Sequence, residues 1–238
     1  MKKLKVVISG GGTGGHIFPA LAIAKAIEKQ VSDVEFLFVG AQDRMEMEKV
    51  PIEGYTIIGL WISGLQRGLD KRNLLFPFKV AHSILKAKKI IKDFKPDLAI
   101  GTGGYASAPL LYVAAKRGIP SLIQEQNSYP GITNKILAKY VQKICVAYDK
   151  MERFFPSEKL MFTGNPIRED ILDFENKRQE GQKLFEIDVS KPTVLVVGGS
   201  LGALTINNAI ADNIQKLNHI GVNLIWQTGI SYQHKASG

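Results

Sequence analysis

The 238-residue chain is predicted to be an α/β protein built on a doubly wound, parallel, Rossmann-like sheet. Three observations carry this expectation. Short β-branched runs alternate with longer amphipathic stretches. Several of the runs are apolar at every position, as strands covered on both faces are. Three glycine-rich loops each follow a predicted strand and open a predicted helix.

In chain order, Leu4–Ile8 is the first strand, followed by the loop Gly10-Gly11-Gly12-Thr13-Gly14-Gly15-His16 and a helix over Pro19–Lys29. Strands Val34–Val39 and Thr56–Leu60 come next, then a long helix over Leu75–Phe94. Strand Leu98–Ile100 leads into the second loop, Gly101-Thr102-Gly103-Gly104-Tyr105, and a helix over Ala106–Lys116. Strand Ser121–Ile123, helix Thr133–Lys139 and strands Lys143–Val146 and Leu160–Phe162 complete the pattern, which closes near Gly164-Asn165-Pro166. A polar stretch, Arg168–Ser190, reads as a linker with a solvated helix. The pattern then restarts: strand Val194–Val197, loop Gly198-Gly199-Ser200-Leu201-Gly202, helix Ala203–Leu217, strand Val222–Trp226. One β-α-β unit cannot cover both faces of its own sheet, so these strands either extend the first sheet or begin a second domain. The expected division is 1–165 and 166–238.

Composition narrows the classes. With 45% hydrophobic and 22% charged residues, disordered and fibrous classes are excluded. Cys145 is the only cysteine, so no internal disulfide forms, and Ile144-Cys145-Val146 reads as an inert thiol in a buried strand. Met1-Lys2-Lys3 is basic like a signal peptide, but no apolar core or cleavage site follows. The longest nearly apolar run, Ala106–Ala115, is too short to cross a bilayer, so the chain is expected to be soluble or to bind a membrane from one side.

Glycine allows a sharp turn and a close approach to an anion, and the helix start behind it offers free N–H groups and a positive dipole end. The three loops are thus candidate phosphate sites at the carboxyl edge of the sheet, where such sheets bind ligands; the alternative is that they are simply tight turns. Gly10-x-Gly12-x-x-Gly15 also fits the dinucleotide fingerprint, but the acid required after strand two is missing, since Asp43 comes too late. None of the loops has the Gly-Lys-Ser/Thr of a Walker loop.

The net charge of +9 calls for an anionic partner. Residues 61–95 carry most of it, with Arg67, Lys71, Arg72, Lys79, Lys86, Lys88, Lys89, Lys92 and Lys95 against Asp70 and Asp93. Trp61, Leu65, Leu69, Leu74, Leu75, Phe76 and Phe78 lie among these charges. Cations interleaved with large apolar groups fit an anionic membrane surface. For Lys79–Lys92 alone, a solvated lysine face on a core-packed helix fits as well. No nucleic-acid motif accompanies the charge, so nucleic acid is not expected as a partner.

Six segments together resemble one family: Gly12-Thr-Gly-Gly-His16-Ile-Phe-Pro19, Gly101-Thr-Gly-Gly-Tyr105, Glu125-Gln126-Asn127 with Gly131-Ile-Thr-Asn134, Gly164-Asn-Pro-Ile-Arg168 and Gly198-Gly-Ser-Leu-Gly-Ala203. They stand in the order and spacing of the MurG family of peptidoglycan glycosyltransferases. Gln124 departs from the family, which often has His before Glu-Gln-Asn.

The resemblance implies a GT-B fold, with an acceptor-side domain over 1–165 and the start of a UDP-sugar domain over 166–238. It implies inverting transfer of N-acetylglucosamine from UDP-N-acetylglucosamine to lipid I, giving lipid II, at the cytoplasmic face of the plasma membrane. No cofactor or metal is implied, and the sequence has no concentrated carboxylate cluster. In this family the uracil, ribose and much of the donor sugar are held by residues beyond the third glycine loop. The chain is therefore expected to be truncated in its C-terminal domain, as a fragment or the product of a split gene, without those residues.

By resemblance, Thr13, Gly14, Gly15, Asn127, Arg168 and Ser200 match donor-binding positions. Gly103, Gly104, Tyr105, Glu125 and Gln126 fall in family motifs near the cleft and are candidate acceptor-binding residues. His16, where a glycine loop meets a helix, is the candidate base for the acceptor hydroxyl, or else a hydrogen-bonding residue for backbone or phosphate. Asn127 can fix sugar hydroxyls or phosphate, or form an Asx turn. Arg168 suits a departing diphosphate, or is a surface cation beside Glu169 and Asp170. Ser200 can cap a helix, with or without a phosphate contact. Two readings compete with glycosyl transfer: a nicotinamide-dependent oxidoreductase and a non-catalytic nucleotide- or lipid-binding module.

Overall fold

A computed structural model describes residues 3–64, 74–168, 174, 177–199 and 201–236. The chain divides into two compact units, Met1–Leu172 and Asp173–Gly238.

The first unit runs β1 (Leu4–Gly10), α1 (Gly14–Gln30), β2 (Val34–Ala41), α2 (Glu46–Ile52), β3 (Thr56–Leu60), α3 (Phe76–Phe94), β4 (Leu98–Gly103), α4 (Ser107–Lys116), β5 (Ser121–Glu125), α5 (Ile132–Leu137), β6 (Lys143–Val146) and β7 (Leu160–Phe162). The strands form one parallel sheet in the order β3-β2-β1-β4-β5-β6-β7. The strand order reverses between β1 and β4, and that break is where an open α/β sheet has room for a ligand.

The uniformly apolar strands follow from burial on both faces. Val6, Ile8, Phe36 and Phe38 face a core closed by Ile17 and Leu21 of α1 and Val50 of α2. Their neighbours Val7, Leu37 and Val39 face the opposite core, with Ile90 of α3, Leu110 and Leu111 of α4 and Leu137 of α5. Alternate residues of one strand thus serve two cores, which is the period-two rule applied to a covered sheet.

Several boundaries differ from expectation. Helix α1 begins at Gly14, ahead of Pro19, because Pro19 costs it only the hydrogen bond to Gly15 O, next to the open sheet edge. Helix α2 was not expected: its segment is charged and contains Pro51, and its buried side chains are Glu46 and Val50, four residues apart on one face. Among the described residues no helix is long and apolar enough to cross a membrane.

The second unit contains α6 (Arg178–Leu184), β8 (Thr193–Val197), α7 (Leu204–Ala211), α8 (Ile214–Ile220) and β9 (Asn223–Gln227). The strands β8 and β9 pair in parallel as a sheet of their own and do not extend the first. The single helix expected over Ala203–Leu217 is two, broken at Asp212-Asn213, where Asn213 Nδ2 turns back to donate to Ala209 O at 2.9 Å. Asn207, buried at the turn of α7, donates to Thr228 O at 2.8 Å and accepts from Trp226 Nε1 at 3.1 Å, which fixes the third glycine loop against the end of β9.

Cys145 on β6 is half-buried; burial pushes its thiol above the ordinary value, partly offset by a hydrogen bond with Thr163. At about pH 8 it should therefore alkylate more slowly than a free cysteine, as timed with iodoacetamide. A rate equal to that of glutathione contradicts the burial. Two glycines separate conformational from steric demand. Gly118 has φ +75° with open space at the Cβ position, whereas Gly104 has φ +89° and a Cβ there would collide with the Gly11 carbonyl. Gly118→Ala should destabilise by about 1 kcal/mol and Gly104→Ala by roughly 2–4 kcal/mol in urea unfolding.

Candidate functional site

The first two glycine loops meet backbone to backbone at the reversal between β1 and β4. Gly11 N donates to Gly103 O at 3.3 Å, and Gly104 lies against Gly11. Two hydroxyls tie this junction together: Thr102 Oγ1 donates to His16 O at 2.7 Å, and Ser107 Oγ lies 2.8 Å from both Ser9 O and Gly103 O; beside it, Ser9 Oγ donates to Val39 O of β2 at 2.8 Å. Ser9, Thr102 and Ser107 are fully buried.

His16 sits half-buried at the start of α1, its ring lying along Gly103, where a Cβ would come within 2.8 Å of Cδ2 and 2.9 Å of Nε2. Its Nδ1 is 3.0 Å from Gly11 O and 3.4 Å from Thr13 Oγ1. A carbonyl oxygen can only accept, so the hydrogen bond to Gly11 O puts a proton on Nδ1; whenever the ring is neutral, Nε2 then carries the lone pair.

A residue that no motif singled out organises the first loop. Glu46 of α2 is fully buried, and its carboxylate accepts from Gly12 N at 2.8 Å and from Ala41 N at 2.9 Å. Side chains at Gly11 or Gly40 would collide with it. This changes the phosphate expectation for the first loop: the Gly12 N–H is already given to an anion of the chain itself. A dinucleotide pyrophosphate at that position would meet a carboxylate, which counts against the nicotinamide reading. A signal existed only as glycines at 11 and 40, too far apart in the chain to suggest a shared neighbour.

The motif after β5 is a second junction. Glu125 is fully buried, with both oxygens turned inward: Oε1 accepts from Asn127 N at 3.0 Å and Asn127 Nδ2 at 2.9 Å, and Oε2 from Gly131 N at 3.1 Å and Asn134 Nδ2 at 2.9 Å. Glu125 therefore holds the loop, and the exposed Asn127 is what it presents. Gln126 Nε2 donates to Thr102 O at 2.8 Å, tying the β5 edge to the β4 edge. Gln124, fully buried, donates to Asn165 Oδ1 at 3.3 Å, and Asn165 Nδ2 donates to Gln126 O at 3.4 Å, which brings Gly164-Asn165-Pro166 to the same edge.

Arg168 arrives with that segment: its guanidinium lies 5.0 Å from the ring centroid of Phe18, and Phe18 covers Gly14. Thr13, Gly14, Gly15, His16, Gly103, Gly104, Gln126, Asn127 and Arg168 are thus gathered along one carboxyl edge of the sheet. Ser200 lies outside the described residues. Among the described residues no group of three or more His, Cys, Asp and Glu is arranged to hold a metal ion.

Tyr105, half-exposed, turns instead toward Gly64 and an apolar cleft of roughly 550 Å³. The cleft lies between α3, α4 and α5, lined by Phe76, Val80, Ile84, Tyr112 and Ile136 among others. Residues 65–73 of the basic segment lie outside the described residues. In the remainder, Ser83, Ala87, Ile90 and Ile91 of α3 face the core, Lys79 donates to Ser63 and Lys86 to Gly59 O, and Lys89 pairs with Asp93 at 2.8 Å. Leu74, Leu75, Phe78 and Leu85 remain exposed.

The Glu125 junction makes a direct prediction. Glutamine at 125 accepts on one oxygen only and turns an NH₂ toward two N–H donors. Glu125→Gln should destabilise the fold by about 2–3 kcal/mol in urea unfolding. Unchanged stability would show that the carboxylate does not hold the loop.

Residues 6–146 match the glycosyltransferase family 28 N-terminal domain. The chain is 56% identical, over 97% of its length, to a UDP-N-acetylglucosamine–N-acetylmuramyl-(pentapeptide) pyrophosphoryl-undecaprenol N-acetylglucosamine transferase of Cytophaga hutchinsonii. It is 55% identical over 96% of its length to the transferase of the same name from Christiangramia forsetii. It spans 63% of each of these relatives. Among solved structures, Acinetobacter baumannii MurG superposes with a TM-score of 0.70 at 28% identity, over 98% of this chain and 61% of that one. The chain therefore belongs to glycosyltransferase family 28, with the family's N-terminal domain over residues 6–146.

Proposed function

We propose that this chain carries the acceptor side of an inverting transferase that moves N-acetylglucosamine from UDP-N-acetylglucosamine to lipid I, forming lipid II. The observation that carries the reading is His16: an imidazole whose Nδ1 is tied to Gly11 O, at the strand reversal of a family 28 domain. Residues 1–165 take the lipid-linked acceptor, and residues 166–238 contribute to the UDP-sugar side.

In the reaction, the acceptor oxygen attacks the anomeric carbon from the face opposite the leaving group. The bond from that carbon to the diphosphate oxygen breaks, UDP leaves with the electron pair, and His16 Nε2 takes the hydroxyl proton. Thr13, Gly14, Gly15 and the exposed Asn127 contact sugar or diphosphate, and the Arg168 cation meets the charge that grows on the departing diphosphate. Gly103, Gly104 and Gln126 shape the acceptor side, and Tyr105 borders the apolar cleft.

The acceptor is a lipid, and the exposed Leu74, Leu75, Phe78 and Leu85 of the basic segment fit an anionic membrane surface at the cytoplasmic face.

Two experiments test these readings. The first measures lipid II made from labelled UDP-N-acetylglucosamine and lipid I. His16→Ala should lose roughly 10²–10⁴-fold in turnover while keeping its fold; near-normal turnover removes His16 from the mechanism. If the unmodified chain neither turns over nor binds UDP-N-acetylglucosamine in calorimetry, the catalytic reading fails for this chain. The second experiment is flotation with anionic vesicles, where Phe78→Asp should reduce binding and added salt should weaken it further. A chain that stays at the bottom of the gradient overturns the membrane assignment.

A further inference from the structure

Two hydrogen bonds described above end on the same peptide group. Gly12 N–H and Gly11 C=O are its two ends; the first donates to Glu46 Oε2 at 2.8 Å, and the second accepts from His16 Nδ1 at 3.0 Å. We propose that Glu46 is a positioning residue for His16: its buried carboxylate, acting through the Gly11–Gly12 peptide, holds the imidazole as the Nδ1–H tautomer with Nε2 available to take a proton. This deepens the reading of His16 as the base and rests on it.

The physics is that of a polarised amide. A carboxylate accepting the N–H of a peptide draws electron density toward its oxygen, and hydrogen bonds in such a chain strengthen one another. Gly11 O thereby becomes a better acceptor for Nδ1–H. Burial keeps water from competing: Glu46 and Gly11 are both buried. When Nε2 takes a proton, the new cation lies one peptide group from the carboxylate, an attraction that the low-dielectric surroundings preserve.

The geometry is specific to a carboxylate. Its two oxygens each accept one backbone N–H, from Gly12 on the loop and Ala41 at the end of β2, so the loop is fixed relative to the sheet. An amide would satisfy one of them and oppose the other.

Other charges are not placed to substitute. On α2, Glu48 and Lys49 are exposed. Lys5 and Glu35 belong to the starts of β1 and β2, at the opposite edge. On α1 itself, Lys25, Glu28 and Lys29 lie two or more turns on, Lys25 and Glu28 bonded to Glu53 and Tyr55. Arg168 lies over Phe18, Glu125 is committed to the β5 loop, and Tyr105 turns to Gly64.

The test reads the ring directly and needs no turnover. In the chain labelled with ¹⁵N-histidine, long-range ¹H–¹⁵N spectra at about pH 9, where imidazole is neutral, report which nitrogen carries the proton. His16, assigned by its loss in His16→Ala, should be Nδ1–H. In Glu46→Gln it should shift to a mixture dominated by Nε2–H, with the fold retained by circular dichroism. An unmodified chain with an Nε2–H ring overturns the proposal, as does a folded Glu46→Gln that keeps the Nδ1–H form. Should Glu46→Gln not fold, the unmodified chain still decides: the Gly12 amide should be protected from hydrogen exchange, and exchange at the rate of an unstructured peptide overturns the relay. Either result stands apart from turnover, so failure of the relay and failure of His16 as the base are distinguishable.

Discussion

The close approach of Gly11 and Gly104 governs the whole carboxyl edge. Two loops from strands that are adjacent in the sheet but some ninety residues apart in the chain touch main chain to main chain, with no room for a Cβ at Gly104. Because they touch, the His16 ring can lie along Gly103, and Thr102 can reach the His16 carbonyl. Because Thr102 is fixed, Gln126 has a carbonyl to meet, and the β5 motif joins the same surface. The residues exposed at the edge are held by this continuous backbone seam, and the buried polar side chains beneath it act as fasteners.

Charge is divided along the same line. Glu46 and Glu125 are both buried, and each spends its carboxylate on backbone or amide N–H groups of the loop above it. The candidate site groups left nearer the surface are a histidine, an asparagine, glycine N–H groups and an arginine. These two glutamates are thus turned inward, with every carboxylate oxygen accepting a hydrogen bond.

Much of the first unit could be read from the residues. The central strands of the large sheet were legible because burial on both faces leaves an apolar run, and the two glycine loops were legible because a sharp turn at a strand end demands them. Helix α2 was not, since its buried anchor is a glutamate and charge in a short polar stretch looks like surface. The start of α1 was hidden by Pro19, which resembles a helix beginning. At the site, His16 and Asn127 could be singled out from residue type and position. The duty of Glu125 could not, because a carboxylate in a motif looks the same whether it faces a ligand or four N–H groups of its own loop. Glu46 was invisible for a different reason: its role depends on β2 and the first loop lying side by side, which only the folded sheet creates.

The strand order also has a consequence during synthesis. β2 pairs with β1 and lies only about thirty residues downstream, but the other edge of β1 stays open until β4 appears, beyond residue 97. At ribosomal speeds of about 5–20 residues per second, that edge waits several seconds or more, apolar and unpaired. The first loop waits with it, since Gly103 and Thr102 have yet to emerge. The carboxyl edge is therefore among the last parts of this unit to take shape, and for those seconds the nascent chain carries an open strand that another chain can pair with.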